Sequence, residues 1–365
     1  MATKVLDGNS LFNFVVLEGN GVKGMVDLGL SKVPEQYVQP PQERIDKQKA
    51  ASHDNPPIDL SKLDGPDHDL VVEEIVRAAK ALGFFQVVNH GVPLKLLDSL
   101  KDAAHTFFGQ SPEEKKAAHL KGPSSPLVKY GTSFVPEKEK ALEWKDYLSM
   151  TYTNDVEALQ YWPNPCKEVA LQYLKTSTKL VKRLIQILIT ELGVTPDESK
   201  VEGLMGLKFV NMNFYPTCPS PELTVGVGRH SDMGTITVLL QDGIGGLYVK
   251  LEEDLDGNQA DQWMEIPPIP GALVINIGDT LQILSNGRYR SAEHRVCASS
   301  TQSRVSIPIF TIPKPTEKIG PLSQLVEKDG VAHYREFMFQ DYMDNFFANA
   351  HEGKKSLDFA SINSP

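Results

Sequence analysis

The sequence predicts an α+β protein whose β-rich core, of jelly-roll or sandwich type, lies between helical N-terminal and C-terminal regions. Apolar residues recur at helical spacing up to about residue 205. Short apolar strands separated by turn residues then follow one another, and helical spacing returns near the C-terminus. We therefore expect an N-terminal arm (residues 1–55), a helical region (56–205), a jelly-roll core (206–315) and a C-terminal helical lid (316–365).

The expected N-terminal elements are a linker, three helices and two strands, of which the first is a short buried strand in PIDLSKL. The arm ends in the polar, proline-bearing stretch PPQERIDKQKAASHDNPP, which is typical of an extended linker. The first helix is expected in DHDLVVEEIVRAAKALG, with Asp69 capping its start and Gly83 ending it. Further helices are predicted in LKLLDSLKDAAHTFFGQ and LQYLKTSTKLVKRLIQILITELG, and a buried strand in FFQVVNHG.

The β core is predicted from a run of short segments that are rich in β-branched and aromatic residues. In chain order they are LKFVNMNFYP, TITVLLQD, GLYVKL, QWMEIPP, ALVINIGD, RSAEHRV and RVSIPIFTI. The aromatic and charged stretch LEWKDYLSM, which precedes them, is expected to line a cleft. The C-terminal stretch VAHYREFMFQDYMDNFFANAH is expected to be helical.

Composition excludes several classes of protein. The 365 residues are 41% hydrophobic, which suits one large globular unit or two fused subdomains, and the net charge of −10 argues against a globally basic surface for nucleic acid. Cys166, Cys218 and Cys297 form no CxxC pair, so a thiolate zinc site or a disulfide framework is not indicated. No apolar run approaches eighteen residues, so we expect no membrane span, and a cytoplasmic monomer.

A candidate metal site begins in GVGRHSDMGTITVLLQD. Residues two apart on a strand share a face, so His230 and Asp232 can reach one ion while Ser231 points away. One such pair is weak evidence, because a chain with nine histidines is expected to contain about 0.5 HxD motifs by chance. His294, in the predicted strand RSAEHRV, would complete the two-histidine, one-carboxylate set that holds non-haem Fe(II).

A second polar pair lies in the strand RVSIPIF. Arg304 and Ser306 share a face and offer a planar guanidinium and a hydroxyl, which together suit a carboxylate. An arginine inside an apolar strand is costly unless it is paired. Two interpretations of Arg304 remain open at this point: a bound anion, or an internal salt bridge with Asp or Glu.

The order of these motifs resembles that of the plant 2-oxoglutarate- and Fe(II)-dependent dioxygenases. The HSD motif is followed by a histidine and, ten residues after it, by RVS. The resemblance extends through GFFQVVNHGVP, VNMNFYPTCPSPELTVGVGRHSD, ALVINIGDTLQILSNGRYRSAEHRV and RVSIPIFTIPKP. It covers the chain from about residue 12 to about residue 357 and implies a double-stranded β-helix core flanked by helices.

The resemblance also implies the catalytic centre. His230, Asp232 and His294 correspond to the family's iron ligands. The implied cofactors are Fe(II), 2-oxoglutarate as cosubstrate and O2, with ascorbate as reductant. A fold-only binding protein and a zinc hydrolase remain alternatives of other classes, although the chain has no HExxH motif and a hydrolase would leave Arg304 unexplained.

The implied cosubstrate residues lie on two strands. Arg304 and Ser306 correspond to positions that bind the far carboxylate of 2-oxoglutarate, and Asn213 and Tyr215 to positions that help hold it. Phe214 stands where many members have tyrosine. Because Phe214 faces the other side of its strand, this departure leaves the cosubstrate assignment intact.

Within the family, FVVLEGNGVKGMVDLGLSKVPEQYVQP and TSFVPEKEKALEWKDYLSM resemble the cinnamoyl-CoA ortho-hydroxylases of coumarin biosynthesis. That likeness implies ortho-hydroxylation of feruloyl-CoA or p-coumaroyl-CoA, leading to coumarins such as scopoletin or umbelliferone. Candidates for an apolar substrate pocket are Phe134, Trp144, Phe310 and Tyr334. Candidate cations for the CoA phosphates are Lys121, Lys129, Lys145, Arg288 and Arg290. The acidic net charge does not favour an anionic thioester, so a flavonoid, hormone or alkaloid substrate remains an alternative.

Overall fold

The computed structural model describes residues 8–53, 55–120, 127–133, 141–251, 262–348 and 353–362. Its α-helices are α1 (Gly8–Phe12), α2 (Gly21–Asp27), α3 (His68–Ala81), α4 (Leu94–Phe108), α5 (Pro112–Leu120), α6 (Asp155–Tyr161), α7 (Lys167–Glu191), α8 (Glu198–Leu204), α9 (Asp279–Leu284), α10 (Ser323–Asp329), α11 (Phe339–Ala348) and α12 (Lys355–Asp358). Its strands are β1 (Ala51–Ser52), β2 (Ile58–Asp59), β3 (Phe84–Val88), β4 (Val128–Gly131), β5 (Asp146–Tyr152), β6 (Leu207–Tyr215), β7 (Val227–His230), β8 (Ile236–Gln241), β9 (Leu247–Lys250), β10 (Trp263–Glu265), β11 (Leu273–Ile277), β12 (His294–Val296), β13 (Arg304–Ile312), β14 (Lys318–Ile319) and β15 (Phe337–Met338).

The three helices predicted before the β core are present as α3, α4 and α7. Gly83 ends α3 as expected: its φ is +73°, and its amide donates to the carbonyl of Ala78 over 3.0 Å. A Cβ at Gly83 would lie 2.1 Å from the carbonyl oxygen of Arg290, so the position needs glycine for space as well as for φ. The expected cap at Asp69 is wrong. That residue lies in the first turn of α3, and Asp67 occupies the N-cap position.

The strands form three sheets among the described residues: two large sheets that face each other and the two-stranded sheet β14-β15. The larger has the order β2-β3-β11-β8-β13-β6-β5-β4, and the smaller has the order β1-β10-β9-β12-β7. Apolar side chains from both sheets meet between them, including Phe84 and Val274 of the larger sheet and Val227 and Val249 of the smaller one. The predicted α+β class with a jelly-roll core is therefore confirmed.

Helices cover the outer face of the larger sheet. The 25-residue α7 packs against β8 and β13, and α4 packs against β6 and β13. The aromatic strand β3 pairs with β11, so the N-terminal region contributes directly to the main sheet. The division into four segments stays a prediction.

The N-terminal arm is docked on the core through its helices. The carboxylate of Asp146, at the start of β5, accepts hydrogen bonds from the amides of Val22 (2.7 Å) and Lys23 (3.0 Å) at the start of α2. Beside this contact, the ring of Tyr37 lies edge-on to that of Trp144, with 5.2 Å between centroids. The arm therefore belongs to the folded body of the protein.

The structure refines two local expectations. Much of LEWKDYLSM forms β5, whose alternate residues Leu148 and Met150 are buried beneath the sheet, while Tyr147 points to the other face, directly opposite Asn213. Of the C-terminal stretch, Phe339–Ala348 is the part that is helical among the described residues. Residues 337–338 instead form β15 against β14, and Arg335 places its guanidinium 4.1 Å over the ring of Phe359. Residues 349–351 of that stretch lie outside the described residues.

No described helix combines the length and apolar character needed to cross a bilayer.

Candidate metal and cosubstrate site

Three predicted metal ligands converge at one end of the smaller sheet. His294 in β12 lies directly opposite His230 in β7. Nε2 of His230 is 3.7 Å from Oδ1 of Asp232, and Nε2 of His294 is 3.8 Å from the same oxygen. One ligand atom from each residue lies within 4.8 Å of the others. The three side chains thus offer two nitrogens and one oxygen to a single point.

Asp232 reaches this point from a turn, not from a strand. Strand β7 ends at His230, so the expected pleat geometry does not position the carboxylate. The turn is instead held by the start of α9, where the amide of Asp279 donates to the carbonyl of Asp232 over 2.7 Å and that of Thr280 donates to Gly234 over 3.1 Å. Ser231 points away, as predicted, and donates to the buried carboxylate of Asp279 over 3.2 Å.

Backbone carbonyls select the tautomer of both histidines. Nδ1 of His230 is 2.8 Å from the carbonyl oxygen of Gly228, and Nδ1 of His294 is 3.2 Å from that of Ala292. A carbonyl oxygen only accepts, so each ring carries its proton on Nδ1. Each Nε2 then presents its lone pair as a possible metal ligand.

The carboxylate of Asp232 is held through its other oxygen. Oδ2 accepts hydrogen bonds from the hydroxyl of Thr237 and from the amide of Asn276, both over 2.6 Å. These two donors lie opposite each other on β8 and β11. Sequence reasoning did not identify them, although a polar residue inside each of the apolar strands TITVLLQ and LVINI is a readable signal.

The donor set fits Fe(II). Two neutral imidazoles and one carboxylate oxygen form the set that binds non-haem iron on one face and leaves other positions open. The hydrogen bonds at Nδ1 and at Oδ2 are the outer contacts that orient such ligands. Oδ1 is the carboxylate oxygen that faces both histidines.

The predicted carboxylate-binding arginine is buried without a counter-ion among the described residues. Arg304 is 1% exposed and lies with its guanidinium 5.1 Å over the ring of Tyr215. Its Nε donates to the carbonyl of Ile244 over 3.1 Å, and Nη2 donates to Oε1 of Gln241 over 2.8 Å. Its Nη1 has no hydrogen-bond partner within the described chain. The internal salt bridge left open by the sequence is not found there, and the unpaired nitrogen fits a bound carboxylate.

The other three predicted cosubstrate residues lie around Arg304. Tyr215 is directly opposite Arg304, and Asn213 is directly opposite Ser306, so all four side chains share one face of β6 and β13. The hydroxyls of Tyr215 and Ser306 are 3.4 Å apart. Phe214 faces the other way, as predicted, and stacks on Phe108 with 5.3 Å between ring centroids.

The predicted aromatic pocket is only partly assembled. Trp144 is fully buried against the N-terminal arm, and the hydroxyl of Tyr334 accepts from Gln282 over 2.7 Å. Phe310 lies directly opposite Thr237, on the face from which Thr237 contacts Asp232. Phe310 is therefore the described aromatic candidate that faces the metal side of the sheet. Phe134 lies outside the described residues.

Three of the predicted cations that the structure describes already have partners within the protein. Lys145 is buried in an ion pair with Glu143 (2.8 Å), and Arg288 pairs with Asp329 (2.6 Å). Arg290 donates through Nη1 to a backbone carbonyl over 3.1 Å. Of the remaining candidates, Lys129 is exposed on β4 and Lys121 lies outside the described residues.

Comparison with known proteins agrees with this geometry. Residues 207–313 match the 2OG-Fe(II) oxygenase superfamily, and residues 56–167 match the N-terminal region named for the non-haem dioxygenase in morphine synthesis. The chain is 65% identical to scopoletin 8-hydroxylase of Arabidopsis thaliana, over 97% of this chain and 98% of the relative. It is 51% identical to a feruloyl CoA ortho-hydroxylase of Ipomoea batatas, over 97% and 98% of the two chains.

The fold of the chain is also similar to that of a solved structure. The structure of JOX2 in complex with 2OG, Fe and JA matches with a TM-score of 0.79 at 32% identity, and covers 93% of this chain and 97% of that one. The chain therefore belongs to the 2OG-Fe(II) oxygenase superfamily and is a dioxygenase that uses Fe(II) and 2-oxoglutarate.

Proposed function

We propose that this dioxygenase hydroxylates the ring of a coumarin, with scopoletin as substrate and position 8 as the point of attack. The observation that carries the proposal is the 65% identity to scopoletin 8-hydroxylase, against 51% to the feruloyl CoA ortho-hydroxylase. Both relatives are matched over 97% of this chain. The difference in identity therefore does not come from a segment that one relative lacks.

In this proposal, Nε2 of His230, Nε2 of His294 and Oδ1 of Asp232 bind Fe(II). Iron held by these residues, together with 2-oxoglutarate, would supply the activation of O2, with one oxygen atom going to the substrate, the other to succinate, and CO2 released. The protein keeps both imidazoles in the Nδ1–H tautomer through the carbonyls of Gly228 and Ala292. Ligand orientation is therefore set before the substrate arrives.

The far carboxylate of 2-oxoglutarate binds to Arg304 and Ser306, with Tyr215 and Asn213 beside them. The buried guanidinium nitrogen Nη1 and the hydroxyls of Ser306 and Tyr215 supply donors that match carboxylate oxygens. Burial favours this pairing, because a charge–charge hydrogen bond strengthens where water is excluded. The cosubstrate is thereby held by the carboxylate that does not take part in the reaction.

The surroundings of the metal ligands suit a flat aromatic substrate. The ring of Phe84 lies edge-on to that of His294, with 5.1 Å between centroids, and belongs to the apolar cluster between the sheets. Phe310 adds a second aromatic side chain on the metal side of the larger sheet. Phe84 is 2% exposed and supports His294 from within the packed core, whereas the half-buried Phe310 offers an uncharged ring system an apolar contact.

A second candidate is ortho-hydroxylation of feruloyl-CoA or p-coumaroyl-CoA, which the sequence motifs predict. The 51% identical feruloyl CoA ortho-hydroxylase favours it. Recognition of the CoA phosphates needs cations with free charge, and Lys145 and Arg288 are already in ion pairs. We therefore place the thioester second.

The test is substrate-coupled formation of succinate from 2-oxoglutarate, with Fe(II), ascorbate and O2 present. Scopoletin, feruloyl-CoA, p-coumaroyl-CoA, free ferulic acid and a dihydroflavonol are assayed in parallel, and products are identified by mass and by NMR. We expect coupled succinate with scopoletin and a product that has gained one oxygen atom at position 8. Coupling with a CoA ester alone would replace the proposal with the second candidate, and coupling with the dihydroflavonol alone would refute both.

A further inference from the structure

Gln241 is a buried polar residue at the end of the apolar strand β8. It is 9% exposed and lies directly opposite Ser306 in the neighbouring strand β13. Direct partners across an antiparallel pair point to the same face, so the amide of Gln241 shares the face of Ser306 and Arg304. Sequence analysis did not single out this residue.

The hydrogen bonds of Gln241 determine which way its amide points. A guanidinium can only donate, so the oxygen of the amide must face Nη2 of Arg304, from which it accepts over 2.8 Å. The nitrogen, Nε2, then points elsewhere as a donor. Within the described chain Nε2 of Gln241 has no hydrogen-bond partner, and neither has Nη1 of Arg304.

Two linked side chains therefore each carry a buried donor that has no acceptor among the residues that the structure describes. The two residues are hydrogen-bonded to each other, so their two donors lie in the same region and one ligand with acceptors would satisfy both. A carboxylate is the matching group, since both of its oxygens accept and neither donates. Nothing in the proposed function uses the donor of Gln241.

We propose that Gln241 is a cosubstrate-binding residue whose Nε2 donates to the far carboxylate of 2-oxoglutarate while its Oε1 holds the guanidinium of Arg304. The inference rests on the proposed function, which places that carboxylate at Arg304 and Ser306. It adds a residue with two roles: one amide group both contacts the cosubstrate and orients the arginine that contacts it.

Replacement of the amide separates these two roles. In Gln241→Glu the side chain keeps an oxygen that accepts from Arg304, loses the donor and gains a negative charge. Tolerance of this change would mean that Gln241 only orients Arg304, whereas contact with the carboxylate requires a loss of affinity for 2-oxoglutarate. Gln241→Met removes both hydrogen bonds at similar volume and keeps the question testable if the glutamate variant does not fold.

The measurement is anaerobic binding to the Fe(II)-loaded full chain by calorimetry, without turnover. The two ligands are 2-oxoglutarate and 2-oxopentanoate, which has the same chain length and lacks the far carboxylate. We expect Gln241→Glu to raise the Kd for 2-oxoglutarate by about 100-fold and Gln241→Met by about tenfold, as expected for hydrogen bonds to a charged group. The Kd for 2-oxopentanoate should change less than about twofold in either variant. Gln160→Glu, at an exposed position on α6, is the matched control.

Two results would overturn the inference. Wild-type affinity of Gln241→Glu for 2-oxoglutarate would leave Gln241 with an orienting role only. Equal weakening of both ligands would indicate a general disturbance of the site. The variant Arg304→Met distinguishes these from failure of the proposed function: if it binds 2-oxoglutarate like the wild type, the assignment of the carboxylate to Arg304 is wrong, and the inference about Gln241 falls with it.

Discussion

The metal end and the anion end of the site are prepared in different ways. At the metal end, the atoms of His230, His294 and Asp232 that do not face the metal position are already hydrogen-bonded to the protein. At the anion end, Arg304 and Gln241 are bonded to each other and each retains a donor without a partner among the described residues.

The difference teaches where the protein supplies order and where the ligand does. A metal ion needs ligands fixed in direction before it binds, so the outer atoms of those ligands are paired within the fold. A carboxylate satisfies buried donors itself, so the protein leaves those donors for it. Substitutions at the metal end should therefore weaken iron binding, and substitutions at the anion end should weaken 2-oxoglutarate binding.

The largest expected effect is at the metal end. Asp232→Ala removes the carboxylate ligand and leaves the donors of Thr237 and Asn276 without their acceptor. We expect substrate-coupled succinate formation to fall by more than about 1000-fold, as for loss of a group on which the chemistry depends. Asp102→Ala, at an exposed position on α4, is the control. Retained activity in Asp232→Ala would show that the metal end is misassigned.

A smaller effect is expected from the residues that orient Asp232. Asn276→Leu and Thr237→Val each remove one hydrogen bond to Oδ2 at similar volume. We expect each to weaken Fe(II) binding by about 10- to 100-fold, as is usual for outer contacts of a metal site. The measurement is titration of these variants with Fe(II) under anaerobic conditions. Normal iron binding together with a loss of affinity for 2-oxoglutarate would contradict the proposed difference between the two ends.

A third prediction concerns the outer side of the metal end. Gly353 has φ +70°, donates its amide to the carbonyl of Arg229, and would place a Cβ 2.6 Å from Oε2 of Glu293. Gly353→Ala should lower the free energy of unfolding by more than the roughly 1 kcal/mol expected from backbone strain alone. Gly330→Ala is the matched control, since its φ is +72° and its Cβ would meet nothing within 4 Å. Equal losses in urea unfolding would mean that crowding at Gly353 is unimportant.

The smallest effect on the reaction is expected from Asp146, which lies at the docked arm and at neither end of the site. Burial raises the pKa of this carboxyl from 3.8 to about 6. Its folded pKa exceeds its unfolded value, so its stabilising contribution is complete below about pH 4 and is lost as pH rises through about 6. Through this one group, the free energy of unfolding changes by at most about 1.4 kcal/mol per pH unit. Asp146→Asn should flatten the unfolding free energy over this pH window, whereas an unchanged slope would assign the titration to another group.

The chemistry of the site could be predicted from the sequence because it depends on side-chain type and on a period of two. His294 faces His230 across paired strands, and Arg304 shares a face with Ser306, as the strand patterns predicted. Helices with strong apolar periodicity were predictable for a similar reason. Which face of such a helix is buried depends only on the local spacing of its apolar residues. The C-terminal stretch misled the prediction because contacts with distant residues, such as that of Arg335 with Phe359, decide its structure.

The sequence by itself determined the family, the three ligand types and the buried arginine, because each is written in a short run of residues. Only the tertiary structure decided that Asp232 reaches the metal position from a turn, that Thr237 and Asn276 hold its second oxygen, and that Gln241 is joined to Arg304. Each of these contacts joins residues that lie on different elements of the fold, and some of those elements are far apart in the chain. Hydrogen-bond partners of that kind depend on register and direction in three dimensions, which no local pattern of residues specifies.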